Sequence, residues 1–148
     1  MNKSDIYAAC VAKQQTKIEE LQNAIDKVQE SIEGEDNSTA GNKFETARAM
    51  GQEEMDRLNQ TMNVAVREMN ILNQIEATKP CDSVQLGALI TTDVKVIYMA
   101  VGLGKVAVGE DTIFVISSSS PIGQQLMGME QGGEVTFAGK KEKIISIV

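Results

Sequence analysis

Residues 33–42 read Glu-Gly-Glu-Asp-Asn-Ser-Thr-Ala-Gly-Asn, and they separate two stretches whose apolar residues recur mostly in steps of three and four. Before them Val11, Ile18, Leu21, Ile25, Val28 and Ile32 trace one seam. After them Phe44, Met55, Leu58, Met62, Ala65, Met69 and Leu72 trace another. A seam of that period is what one helix presents to a second helix. If the chain folds back between the two stretches, facing positions share a constant index sum. The pairs 32/44, 25/51, 21/55, 18/58, 11/65 and 7/69 all give 76, which centres the turn on Ser38. Gly34 is placed to end the first helix, and Asn42 with Glu45 can form a capping box for the second. Residues from about 4 to 76 are therefore expected to form an antiparallel coiled-coil hairpin, each arm of about 30 residues and ~45 Å. Gln14, Arg48 and Gly51 interrupt the seam and are expected to weaken it.

The helical period stops at Lys79-Pro80. Beyond it Val84–Thr91, Val94–Val101 and Thr112–Ile116 are rich in β-branched residues, with turns expected at Gly102-Leu103-Gly104 and Gly109-Glu110-Asp111. Ser120-Pro121-Ile122-Gly123 through Leu126-Met127-Gly128 reads as a short helix with a serine cap, a proline at the first position and a glycine stop. Glu134–Ala138 and Lys141–Val148 read as a closing hairpin that turns near Gly139-Lys140. The expectation is an α+β chain: a hairpin over 1–78 with an acidic tip near 33–42, and a domain of about five strands and one short helix over 79–148. Gly102-Leu103-Gly104 lacks the following GK[ST] of a phosphate loop, so a hairpin turn is the simpler reading.

With 14 basic against 21 acidic residues and a net charge of -7, the chain has no broad basic field of the kind that duplex nucleic acid requires. No apolar run approaches the ~20 residues that span a bilayer, and the start MNKSDIY lacks a signal-peptide core. A soluble, cytoplasmic and monomeric protein is expected. There is no histidine, which excludes His-based nucleophilic triads and His-ligated zinc; Cys10 and Cys81 are read as apolar thiols rather than a disulfide.

Glu30, Glu33, Glu35 and Asp36 crowd the C-terminal end of the first helix with no basic residue among them, the unfavourable sign for the helix dipole. Local rules are broken most often where function requires it. Such a cluster could deliver oxygen ligands to a Mg²⁺ held by another macromolecule; from composition alone a solvated acidic loop, kept soluble by its charge, is the simpler reading. Glu45 is accounted for as a cap partner, and Lys43 and Arg48 could touch a phosphate or pair with the acidic cluster.

Taken together, the order of parts resembles the GreA/GreB family of bacterial transcription elongation and transcript-cleavage factors. Ser120-Pro121-Ile122-Gly123, Leu126-Met127-Gly128, Gly132-Gly133-Glu134-Val135 and the tip Asn42-Lys43-Phe44-Glu45 carry the resemblance, which runs over essentially the whole chain. It implies an FKBP-like C-terminal domain that grips the rim of the secondary channel of RNA polymerase, and a hairpin that enters the channel near the transcript 3′ end. Ser120, Pro121 and Ile122 would then contact the rim. The family presents an aspartate and a glutamate three residues apart at the tip, which help hold a catalytic Mg²⁺ of the polymerase; the factor itself is not an enzyme and has no cofactor of its own. Here Gly34 to Phe44 is two residues longer than the family pattern. Aligned from Gly34 the aspartate falls on Glu35 and the glutamate on Ser38; aligned from Phe44 the glutamate falls on Ala40. Glu35 and Asp36 are the expected acting carboxylates, with Glu33 and Glu45 behind them. Cleavage stimulation, channel-bound inhibition and a purely structural coiled-coil role are the open readings. An FKBP-like fold also raises prolyl isomerisation, which needs an aromatic-lined pocket. The domain offers Tyr98, Phe114 and Phe137, of which at least two are expected in the core.

Overall fold

The computed structural model describes residues 2–35 and 41–148, and the side chains of these except residues 35 and 41–44. Two long helices open the chain, α1 at Lys3–Glu35 and α2 at Gly41–Asn73. Asn2 caps α1, its Oδ1 accepting the Ser4 N–H at 2.9 Å. α1 ends one residue past Gly34. The Asn42 cap lies on a side chain outside the described residues.

The chain forms two compact units, residues 14–68 and residues 1–13 with 69–148. The first is the distal part of the hairpin. Gln14, Ile32, Met55 and Ala65 are its buried residues, and Ile18, Leu21, Ile25, Val28, Leu58 and Met62 are half-buried along the same seam. Lys17 pairs with Glu68 at 3.5 Å, while Gln22 with Asp26 and Gln29 with Glu33 brace the outer surface one turn apart. The register differs from the expected sum of 76. Gln14 Nε2 donates to the Ala65 carbonyl at 2.8 Å, a sum of 79, and Gly51 lies against Ile32, a sum of 83. The two contacts move the sum by three and by seven, about one and two helical turns. A 3/4 seam of Leu, Ile, Met and Ala fits equally well when slid by a turn, so the apolar period alone does not fix the register. What fixes it is the pair of residues that looked like interruptions. The Gln14 amide needs a carbonyl, and a Cβ on Gly51 would lie 2.8 Å from Ile32 Cγ1.

The second unit is a six-stranded mixed sheet. Its strands are β1 (Leu89–Thr92), β2 (Val96–Ala100), β3 (Gly104–Val108), β4 (Asp111–Ser117), β5 (Glu134–Phe137) and β6 (Lys140–Ile147), with α3 (Pro121–Leu126) between β4 and β5. The spatial order is β3-β4-β2-β1-β6-β5, with β2 and β4 parallel and every other pair antiparallel. Both faces are covered. Tyr98, Ala100, Val106, Ile113 and Val115 pack with Ile6, Cys10, Leu72 and Ile75 on one face; Ile90, Ile97, Met99, Val135 and Ile144 pack with Leu126 of α3 on the other. A strand buried on both faces needs no polar alternation, which is why Val-Ile-Tyr-Met-Ala reads as continuously apolar. The boundary expected after residue 78 falls inside this unit.

Three details depart from the sequence reading. The expectation of about five strands omitted β3, an edge strand in which three of five residues are glycine, lysine and alanine. Gly102-Leu103-Gly104 is not a hairpin turn, because β4 lies between β2 and β3. The first strand starts at Leu89 rather than Val84, since Val84 bonds instead to the segment after α3, through Met129 O and Gly128 N. The closing turn is as expected, with positive φ at Ala138 and Gly139 matching a two-residue hairpin.

Candidate functional site

Two surfaces hold the residues expected from the sequence to act. At the turn end of α1, Glu30 and Glu33 are exposed, Glu33 accepting from Gln29 Nε2 at 3.1 Å; Glu45, on α2, is exposed as well. The Glu35 side chain and all of Asp36, the carboxylates expected to act, lie outside the described residues. Among the described residues no three His, Cys, Asp or Glu side chains converge as a metal site.

The other surface is α3. Ser120 Oγ accepts the Gly123 N–H at 3.0 Å and donates to the Ser117 carbonyl at 2.6 Å, so its only proton is committed to turning the chain from β4 into the helix. Ile122 packs against the core beneath α3, and Pro121 is exposed at the first helical position. Gly123 cannot carry a side chain, because its Cβ would sit 1.9 Å from Ser117 O. Of the three residues expected at a partner contact, Pro121 alone has an exposed side chain; the other two shape the platform.

The sequence reading missed two cationic clusters. Lys3 is buried, and its Nζ donates to the Lys79 carbonyl at 2.7 Å and the Val148 carbonyl at 2.9 Å, with Cys81 Sγ 3.8 Å away. Lys95 Nζ pairs with the buried Glu142 at 3.0 Å and stands 4.0 Å and 5.1 Å from the ring centroids of Phe137 and Phe114. Nothing in their spacing announced either cluster, because each joins residues brought together only by the sheet. The second bears on isomerisation: Tyr98 is fully buried, and Lys95 stands over the other two aromatic rings.

Cys10 and Cys81 are free and buried. Burial pushes the Cys10 thiol up to about 11, against the pull of the Lys13 charge. Burial likewise lifts the Tyr98 phenol above its usual range, and that hydroxyl has no hydrogen-bond partner among the described residues. No helix among the described residues is long and apolar enough to cross a membrane.

No family model matches this chain, and no curated protein matches it. Among solved structures, one titled "Structure of the transcription factor Gfh1" is similar at 13% identity over 93% of this chain and 92% of its own, with a TM-score of 0.37. That likeness carries no residue roles to this chain.

Proposed function

We propose that the chain is a transcription factor that binds RNA polymerase at the secondary channel and presents its acidic tip to the active-site Mg²⁺, stimulating cleavage of backtracked transcripts. The observation that carries this reading is a pairing within one chain. A helical hairpin with an acid-rich sequence between its two helices precedes a sheet whose surface helix bears the Gre-like Ser120-Pro121-Ile122 run on a platform capped by Ser120. In two-metal phosphodiester hydrolysis one ion activates water and the other stabilises the leaving oxygen. Glu35 and Asp36 would add oxygen ligands to an ion that the polymerase holds loosely, while the polymerase performs the hydrolysis. The factor supplies ligands and position.

The test has two arms, binding to purified polymerase and cleavage in a stalled, backtracked complex. Glu35→Ala with Asp36→Ala should abolish stimulated cleavage and leave affinity intact; unchanged cleavage would move the chemistry to Glu33 or Glu45. Pro121→Glu should weaken binding at least tenfold with the tip untouched, and full affinity would remove the rim assignment. No association at moderate salt would overturn the reading as a whole. The two-residue excess between Gly34 and Phe44 favours a second reading, a channel-bound factor that inhibits without cleavage. It predicts binding and slowed elongation with no cleavage product.

A further inference from the structure

The geometry around Lys95 points to a ligand site, and we propose that Phe114, Phe137 and Glu142 form a receptor for an alkylammonium side chain. Lys95 is its resident ligand, and a lysine of a partner protein can enter in its place. The parts are those that recognise an ammonium ion: aromatic faces that offer negative quadrupole density, and an anion to neutralise the charge. Phe137 and Phe114 lie 4.0 Å and 5.1 Å from Lys95 Nζ, Glu142 Oε2 is at 3.0 Å, and the Thr92 hydroxyl donates to Glu142 Oε1 at 2.7 Å. Thr92 thus orients the carboxylate independently of the cation.

The receptor and its ligand come from different kinds of structure. Phe114 is on β4, while Phe137 and Glu142 are on β5 and β6, and Glu142 is buried within the sheet. Lys95 belongs to the three-residue connection between β1 and β2, beside Val94, which is 68% exposed. That connection is held by its backbone. Thr92 N donates to the Lys95 carbonyl, and Thr92 Oγ1 accepts from the N–H groups of Val94 and Lys95. The Lys95 side chain can therefore leave without undoing the turn, whereas the receptor cannot lose a cation without stranding a buried carboxylate. A second cation, Lys105, lies 5.6 Å from the Phe114 ring. An incoming lysine supplies the same charge and stem as Lys95, so the exchange leaves the carboxylate paired.

The test is chemical rescue on the full chain, with n-butylammonium as the probe. Lys95→Ala should lower the melting temperature by on the order of 10 °C, from loss of a buried pair. Butylammonium chloride should restore part of that loss saturably, whereas sodium chloride at equal ionic strength and n-butanol should not. Adding Glu142→Gln should remove the rescue. The second arm needs no variant. Nα-acetyl-lysine amide titrated into the wild-type chain should shift the ring resonances of Phe114 and Phe137, and acetyl-norleucine amide should leave them in place. No ammonium-specific gain in Lys95→Ala would overturn the receptor; a gain without any ring shift in the wild type would overturn the exchange.

Discussion

Ile97, Met99, Leu126 and Ile144 in the sheet unit are wholly inaccessible, and so are Tyr98, Ile113 and Val115 on the opposite face. Among the described residues of the distal hairpin the buried positions are Gln14, Ile32, Met55 and Ala65, and one of those four is an amide. The sheet unit is thus specified by volume. A side chain of the wrong size has nowhere to go, because both faces of the sheet are closed. The hairpin is specified by exceptions. Its seam is half-open to water and tolerant of sliding, and a hydrogen bond and a missing side chain choose the register. The same kind of substitution should therefore cost far less in the hairpin than in the sheet unit.

Gly123→Ala tests the sheet unit with the largest expected effect. The new Cβ would sit 1.9 Å from Ser117 O and 2.9 Å from the capping Ser120 Oγ, so relief requires moving backbone. The expected loss is about 3 kcal/mol or more in urea unfolding. A loss under about 1 kcal/mol would mean that α3 is not held rigidly on the sheet, and the contrast with the hairpin would fail.

Next in size is the pH dependence. The Cys10 thiol, buried against the sheet, is raised from 9.0 to about 11, so the native state favours the protonated form. That contribution is fully present below pH 9 and is lost as the pH rises towards 11, because the unfolded chain releases its proton first. The expected loss is about 2 to 3 kcal/mol, and the raised Tyr98 phenol acts in the same direction. Measured between pH 8 and 11, stability should fall less steeply in Cys10→Ala. Parallel curves for the two proteins would show that Cys10 does not contribute the slope.

Much of this architecture was legible in the sequence, and the reasons differ by region. The two helices followed from a 3/4 period sustained over many turns, and α3 from a serine cap, a proline at the first helical position and a glycine stop. β3 was not legible, because an edge strand of Gly-Lys-Val-Ala-Val buries only Val106 fully and has little pattern to show. The apolar pattern alone misplaces the register by one to two turns, because it treats Gln14 and Gly51 as interruptions rather than as the residues that set it. Of the candidate sites, Ser120 and Ile122 could be placed only as shape-forming residues once their bonds and burial were known. The Lys95 cluster joins Thr92, Phe114, Phe137 and Glu142 from four strands. No local spacing encodes such a meeting.

The hairpin's polar exception gives a smaller effect, of opposite sign. Gln14 Nε2 is bonded to the Ala65 carbonyl, but its Oε1 is buried without a partner. Gln14→Leu removes that unsatisfied atom and continues the apolar seam, so a gain of about 1 kcal/mol is expected. The gain should come with poorer definition of register, read as broadened spin-label distances between the two arms. A loss of stability instead would show that the single amide bond outweighs the stranded oxygen.

Gly51→Ala should move stability least, and it discriminates between the two registers most sharply. In a helix interior, alanine is favoured over glycine by about 1 kcal/mol. Here the new Cβ meets Ile32 Cγ1 at 2.8 Å and Cδ1 at 3.2 Å, which opposes that gain. Ile32 must rotate or shift its side chain to admit the methyl, and the half-open seam around it leaves room for that, so the net change should fall within about 1 kcal/mol of zero. Combining it with Ile32→Ala should release the full propensity gain, a coupling of about 1 kcal/mol in a double-mutant cycle. In the register expected from the apolar pattern, Gly51 faces Ile25 instead. The coupling would then appear with Ile25→Ala and vanish with Ile32→Ala, so the cycle decides which residue Gly51 makes room for.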